Sequence, residues 1–384
     1  MTVINQAVMS ESDIIRPTHL EIDLDVLGRN YAAIKQHVNN RRIMTILKAN
    51  AYGHGLVVVG QYLEHLGADY FGVAFLEEGI MLREAGIQTP ILVLGGILDN
   101  QVPLFIKYDL TLTASSVEKL AQIETAAERM GKRAKVHLKI DTGMERIGVH
   151  YYSADTLLEA SCHCQWSEIE AIYTHFASSD SADLSYTHLQ LQRFNKVLNF
   201  YTTHAIKRPM VHIANSGAIL QMPDAQFDMV RAGILLYGVY PDLNTKRSIP
   251  VEPALTWRTR VVYFKVVMPG HPVSYGSTWQ SAEMVRVVTL PIGYGDGYFR
   301  AMSDQAEVII RGKRYPVVGR ICMDQMMINI GWESAYNGDE VILMGKQGGV
   351  GISAEELAKW ANTIPYEILT NINTRVPRRY VGGV

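Results

Sequence analysis

The sequence predicts an α/β fold with a β part added, a (β/α)8 barrel over residues 25–247 followed by a mostly β domain over 248–384. Three observations predict this. Eight short apolar runs alternate with helical stretches between residues 43 and 231, the rhythm of a closed parallel barrel of the TIM type. No glycine-rich dinucleotide fingerprint follows any run, which argues against an open doubly wound sheet. Beyond a Pro-, Asp- and Asn-containing connection at 240–247 the rhythm stops and strand-like segments dominate. At 384 residues the chain also exceeds what one ordinary core encloses.

Taken in order, residues 1–17 read as a polar leader ending at Pro17. Residues 19–24 (HLEIDL) alternate like a half-exposed strand, and Asp25 is expected to cap a helix over 26–38. The barrel strands fall at 43–48, 70–75, 91–94, 110–113, 135–140, 169–175, 210–214 and 228–231. Helices at 76–85, 117–130 and 186–204 lie between them. In the second domain a long strand over 255–267 is expected to break at Pro269-Gly270. Shorter strands follow at 285–290, 307–310, 315–321, 326–330 and 340–344. Residues 311–314 read as a hairpin turn centred on Gly312. Ser353 with Glu356 three residues on forms a capping box.

Composition narrows the function classes. A net charge of −2 gives no reason to expect a nucleic acid or an anionic membrane surface as partner. No apolar run reaches membrane-spanning length, and the amino terminus lacks the pattern of a secretory signal, so a cytoplasmic protein is expected. Three cysteines, an odd number in a large chain, argue against a disulfide framework. Cys162-His163-Cys164 sets its ligands too close for an ordinary zinc site, and no metal is expected. Cys322 is read as a packing residue near the expected site, with a reactive thiol as the alternative.

Chemistry collects at predicted strand ends, where barrels carry their active sites. Lys48 closes the first strand, and small, turn-forming residues follow it at once (Ala49, Asn50, Ala51, Gly53, Gly55). A lysine leaving an apolar wall is partly desolvated, which lowers its pKa and lets the neutral amine form a Schiff base. Lys139, Asp141 and His175 close later strands, then Asn215 with Ser216, then Arg231 with Gly233. Ser216 and Gly217, with the backbone of Gly233 and Ile234, suit an anion at the last two strands, a frequent phosphate position. A carbonyl-binding lysine opposite a phosphate site points to pyridoxal 5'-phosphate. Arg231 then suits its pyridine nitrogen: a permanently charged arginine leaves that nitrogen unprotonated, whereas a carboxylate would keep it protonated.

Residues 48–55, KANAYGHG, resemble the cofactor-lysine signature of the alanine racemases. The resemblance extends over KIDTGMERIG (139–148), YTHFASSD (173–180), HIANS (212–216), VRAGILLYG (230–238), VSYGSTW (273–279), PIGYGDGY (291–298), GRICMDQ (319–325) and PYE (365–367). It implies an isomerase that interconverts L- and D-alanine, built as a head-to-tail homodimer with pyridoxal phosphate at each barrel mouth, and it implies that the strand at 18–24 joins the second domain. By motif match Lys48 carries the cofactor, and Tyr52, Ser216, Gly233, Ile234 and Tyr366 surround its phosphate. Arg231 faces the pyridine nitrogen with His212 behind it, and His175 lies against the ring. Tyr275 is the second base, reaching in from the other subunit. Arg146 holds Tyr275 and the substrate carboxylate, and Met323 binds substrate from the partner chain. Tyr294 and Tyr366 match a narrow entrance, and Lys139 matches a lysine that some members carry as a carbamate.

Glu145, beside Arg146, departs from the family pattern, which often has a small residue there. A broader racemase acting on serine or basic amino acids is the nearest alternative. A catabolic role is an alternative to supplying D-alanine for peptidoglycan. A pyridoxal-dependent decarboxylase is disfavoured by Arg231, and a non-catalytic pyridoxal carrier by Tyr275.

Overall fold

The computed structural model describes residues 16–39 and 41–383, so the leader expected over 1–17 falls outside the described residues except for Arg16 and Pro17. The chain forms two compact units, one of residues 28–251 and one of residues 252–383 with 16–27. Among the described residues no helix is long and apolar enough to cross a membrane.

The first unit is a ring of eight parallel strands: Arg42–Ile46, Tyr70–Val73, Ile91–Val93, Leu112–Ala114, Ala134–Asp141, Ser167–Tyr173, Met210–His212 and Met229–Ala232. Continuous ladders join the last strand to the first three, and the fourth through the seventh to one another. Two thin seams close the circle. Leu92 bridges Thr111, with the Thr111 N–H donating to the Ile91 carbonyl at 2.8 Å. On the other side the Arg231 N–H donates to the Ala214 carbonyl at 2.8 Å. Five of the eight strands hold only three or four residues, shorter than most of the runs that predicted them, whereas Ala134–Asp141 and Ser167–Tyr173 run to eight and seven.

Barrel interiors of this size are usually filled by branched apolar side chains. Here Thr45, His137, Lys139, His212 and Arg231 are buried polar residues on barrel strands, alongside Tyr70 and Tyr173. Burying so many polar groups is tolerable only when they satisfy one another, which makes the interior a functional element.

The second unit holds a seven-stranded sheet. Its path runs Lys313–Pro316, Glu307–Ile310, Glu340–Gln347, Leu255–Arg260, His19–Asp23, Arg378–Val381, and Val350–Ile352 pairs off Glu340–Gln347. His19–Asp23 thus joins the β unit, antiparallel to Leu255–Arg260 and parallel to Arg378–Val381. A second sheet stacks Tyr263–Val267, Val285–Leu290 and Met326–Gly331. A cluster of Val267, Val273, Val285, Val287 and Val318, with Trp279 and Met327, packs on one of its faces.

Several local expectations are corrected. The Val26 N–H donates to Asp23 Oδ1 at 2.9 Å, so Asp23 caps the helix Leu24–His37; Asp25 lies inside it and accepts from the Gly383 N–H. The strand expected over 255–267 breaks at Val261-Val262, ahead of Pro269, because its two halves belong to different sheets. The strand expected over 315–321 is shifted to Lys313–Pro316, since the hairpin loop holds only Arg311 and Gly312, both at positive φ. That geometry is the two-residue turn that matches strand twist. The Ser353–Glu356 capping box forms as read.

Candidate active site

Lys48 does not end a strand. The strand stops at Ile46, and Lys48 opens one turn of left-handed helix. Ala49, Asn50, Ala51 and Tyr52 all have φ between 52° and 57°. Left-handed backbone costs roughly 1–2 kcal/mol for a residue with an ordinary side chain, so the turn must be held by its surroundings. The Ala51 N–H donates to the Leu47 carbonyl at 2.7 Å, and Gly53 to Ala49 at 3.1 Å. Glu78 accepts from the Ala49 N–H at 2.7 Å and the Ala74 N–H at 2.8 Å, pinning the turn to the next strand's exit. Asn50 Oδ1 accepts from the Leu56 N–H at 2.8 Å. Burial, then the charges of Arg146 and Arg231, push the Lys48 ammonium below its usual pKa, while Glu78 opposes them.

The same turn aims Tyr52 at the last two strands. A Cβ built on Gly233 would sit 3.1 Å from the Tyr52 hydroxyl and 3.4 Å from Ser216 Oγ. Ser216 Oγ accepts from the Gly233 N–H at 3.0 Å. This N–H, expected to face an anion directly, is therefore tied to the serine. Two hydroxyls thus converge on space that only glycine leaves open, a donor set suited to a phosphate. Gly233 leads into the short helical turn Ile234–Tyr237, whose Tyr237 hydroxyl donates to the Ile46 carbonyl at 2.9 Å.

Arg231 is the hub. It is 3% exposed, and its guanidinium donates to the carbonyls of His212, Thr174 and Ile213 at 2.8–3.0 Å. It also donates to His212 Nδ1 and His175 Nδ1, each at 3.0 Å. Burial pushes its pKa down to about 10, which leaves it charged at neutral pH. A guanidinium only donates, so both imidazoles must present a bare Nδ1. Burial and Arg231 keep His175 and His212 far below their ordinary pKa, hence neutral.

Lys139 is 4% exposed, with its Nζ 5.0 Å from the centre of the Tyr173 ring. Burial, then Arg231, press its pKa from 10.5 to about 7, with Asp141 opposing. Asp141 shapes the following loop by accepting the N–H groups of Gly143 at 2.7 Å, Met144 at 3.0 Å and Arg146 at 3.2 Å. Glu145 turns to His150, 2.8 Å away, so its carboxylate is engaged there.

Within the barrel unit Lys48, Tyr52, Arg146, His175, Ser216, Arg231, Gly233 and Ile234 therefore all lie at or just past the carboxyl ends of strands. In the second unit Tyr275, Tyr294 and Met323 sit on loops laced together. The Tyr294 N–H donates to the Cys322 carbonyl at 3.0 Å and the Gly295 N–H to the Met323 carbonyl at 2.9 Å. Ser274 Oγ donates to the Arg320 carbonyl at 2.5 Å. Tyr275 follows Ser274 at φ 67° and is 71% exposed; Met323 and Tyr294 are exposed as well. Tyr366 is half-buried on the helix Pro365–Thr370 of the same unit.

Residues outside the sequence reading do much of the holding. Gln190, fully buried on the helix Ser185–Thr203, donates to the His175 carbonyl and accepts from the Ala177 N–H. Asp296 is buried between Arg16 and Arg375 at 2.6 Å each, and Arg375 also reaches Asp324 beside Met323. A lone glutamine in an amphipathic helix carries no sequence signal for such contacts, and Asp296 lies in the run PIGYGDGY without its pairing to two arginines being readable there.

A barrel whose mouth joins a desolvated lysine, a hydroxyl-lined anion cradle and a buried arginine defines the class of pyridoxal-phosphate-dependent amino-acid isomerases. Residues 22–241 match the alanine racemase N-terminal domain, and residues 254–380 match the C-terminal domain. The chain is 44% identical over 369 residues to the alanine racemase of Carboxydothermus hydrogenoformans, covering 96% of this chain and all of that one. It superimposes on alanine racemase from Clostridium difficile with a TM-score of 0.89 at 39% identity, covering 95% of this chain and 96% of the other. A TM-score of 0.87 at 28% identity relates it to the Bartonella henselae alanine racemase with covalently bound pyridoxal phosphate, over 95% and 99% of the two chains. The chain belongs to the alanine racemase family and is an isomerase that uses pyridoxal phosphate.

Proposed function

We propose that the chain racemises alanine with two bases on opposite faces of the substrate, in sites shared between the subunits of a cytoplasmic homodimer, and so supplies D-alanine for peptidoglycan. Pyridoxal phosphate held by Lys48 supplies an electron sink that acidifies the substrate Cα–H. The Lys48 amine serves one face; its lowered pKa favours the neutral form that can take a proton. Tyr275 of the second subunit serves the other. One rigidly held base cannot reach both faces of a carbon, whereas two opposed ones can. Supporting the shared site, Tyr275, Met323 and Tyr294 are large side chains left 71%, 53% and 43% exposed on their own chain.

Arg146 binds the substrate carboxylate and holds Tyr275 beside it. Tyr52, Ser216, Tyr366 and the backbone of Ile234 hold the phosphate, while Gly233 braces Ser216 and leaves the space open. Tyr294 and Tyr366 narrow the entrance to a methyl side chain. Lys139 fits a carbamate: an amine near pKa 7 reacts with carbon dioxide, and an anion there would offset Arg231 and Arg146.

The observation that carries the reading is Arg231. Its guanidinium is held by two imidazole nitrogens and three carbonyls, so a cation stands where a decarboxylase would be expected to place a carboxylate. The test is incubation with L-alanine while optical rotation and carbon dioxide are followed together. Rotation should decay to zero without gas release; release of carbon dioxide would refute the assignment.

A further inference from the structure

Beneath Arg231 a column of buried polar groups continues down the barrel, and the two-base scheme makes no use of its lower half. His212 meets Arg231 through Nδ1 and the Nδ1 of His137 through Nε2, at 3.1 Å. His137 Nε2 lies 3.5 Å from Glu170 Oε2. Tyr70 donates to the same carboxylate oxygen at 2.8 Å, and Thr111 lies 2.7 Å from the Tyr70 hydroxyl. Both imidazoles are fully buried.

The column has one consistent proton arrangement. Arg231 can only donate, so the hydrogen of neutral His212 is on Nε2 and points to His137 Nδ1. The hydrogen of His137 is then on Nε2, which lies 3.5 Å from both the Tyr70 hydroxyl and Glu170 Oε2; the hydroxyl passes the chain on by donating to Glu170, which when ionised can only accept. Burial alone would raise the Glu170 pKa, but hydrogen bonds from His137 and Tyr70 hold it below the usual value. A donor-only group at one end and an acceptor-only group at the other thus lock both tautomers between them.

The backbone is bent to put Glu170 there. Counting by twos from Tyr173, which faces inward onto His212, Glu170 would turn to the outside of the barrel. The ladder to the fifth strand slips at this point: Val136 pairs with Ile169, but His137 pairs with Ala171. Glu170 is the extra residue, and such bulges re-aim side chains.

Resting on the reading that Arg231 faces the pyridine nitrogen, we propose that Glu170 is a positioning residue for the cofactor. It acts through His137 and His212 to keep a bare imidazole nitrogen against Arg231. Were His212 to carry its hydrogen on Nδ1, two donors would confront each other and the guanidinium would have to turn from its place.

The experiment uses holoenzyme with 15N-labelled histidine, its cofactor absorbance and its kinetics with alanine, for the wild type, Glu170→Leu, Glu170→Gln and Arg231→Lys. Wild type should show His137 and His212 each protonated at Nε2 only. Glu170→Leu should lose the single His137 tautomer, shift the cofactor absorbance maximum and lower kcat roughly tenfold, the size of one charged hydrogen bond, with KM little changed. Glu170→Gln keeps an acceptor and should restore the tautomers and most of kcat, while moving the His137 Nε2–H resonance. Unchanged imidazole signals in the Leu variant would overturn the proposal, as would changed imidazoles with an unmoved absorbance. If the Leu variant does not fold, an unmoved His137 resonance in the Gln variant overturns it. Arg231→Lys separates the two layers: a shifted absorbance there upholds the Arg231 reading whatever Glu170 does, and an unshifted one shows that this reading has failed.

Discussion

The barrel mouth and the loops around Tyr275 build their sites in opposite ways. At the mouth the side chains are fixed by one another: Arg231 is buried in five hydrogen bonds, and Lys139 and His212 are inaccessible. In the second unit the backbone is fixed, by turns at Ser274, Gly276 and Ser277 with positive φ, while Tyr275 and Met323 project into solvent. A preorganised cofactor site can be completed within one chain. The exposure of Tyr275 and Met323 is what the proposed shared site requires of side chains offered to a second subunit.

That contrast predicts unequal losses. Lys48→Ala should abolish racemisation, by roughly 10³-fold or more as expected for a lost essential base, and remove the absorbance of covalently held cofactor. Retained tight, reducible attachment of the cofactor would break the assignment. Tyr275→Phe should also be inactive but keep that absorbance. Mixing the two inactive proteins under conditions of subunit exchange should restore part of the activity, because one site of a mixed dimer combines an intact Lys48 with an intact Tyr275. No recovery despite demonstrated exchange would mean that the sites are not shared.

A third prediction concerns the buried charge at the mouth. The Lys139 pKa is depressed from 10.5 to about 7, so between these values the unfolded chain binds a proton that the folded chain does not. Stability should therefore rise as pH increases from about 7 toward 10.5, and the full penalty applies below 7. In carbon-dioxide-free buffer Lys139→Met should remove up to about 5 kcal/mol of this pH dependence. Unfolding midpoints that vary equally with pH in both proteins would contradict the burial argument.

The smallest effect is the most diagnostic of the left-handed turn. Ala49 is exposed at φ 54°, so Ala49→Gly should leave stability unchanged or raise it by up to about 1 kcal/mol. The same change in a right-handed helix costs roughly that much. A clear fall in the denaturation midpoint would show that the turn is not strained as described.

The sequence made the barrel legible because its period is strong, and made the mouth legible because chemistry-bearing residues recur at strand ends. It misplaced details set by competition between neighbours. Asp23 took the cap from Asp25 because it is the last residue of its strand and already faces the first free N–H groups. The break at Val261 depends on which sheet each half joins, which no local pattern records. Lys48 reads as the end of a strand because apolar residues lead up to it; the left-handed turn is held by Glu78 from the next strand's exit and by the side chain of Asn50 within the turn itself. Glu170 was invisible for a similar reason: in a strand a glutamate reads as outward, and only a register slip brings it in.

The central claim is that Lys48 and Tyr275 each serve one enantiomer, and exchange of the substrate α-hydrogen in deuterated water with Tyr275→Phe holoenzyme tests it most directly. The account predicts continued exchange into D-alanine through Lys48, none into L-alanine, and no racemisation. Equal exchange into both enantiomers, or racemisation at the wild-type rate, would contradict it.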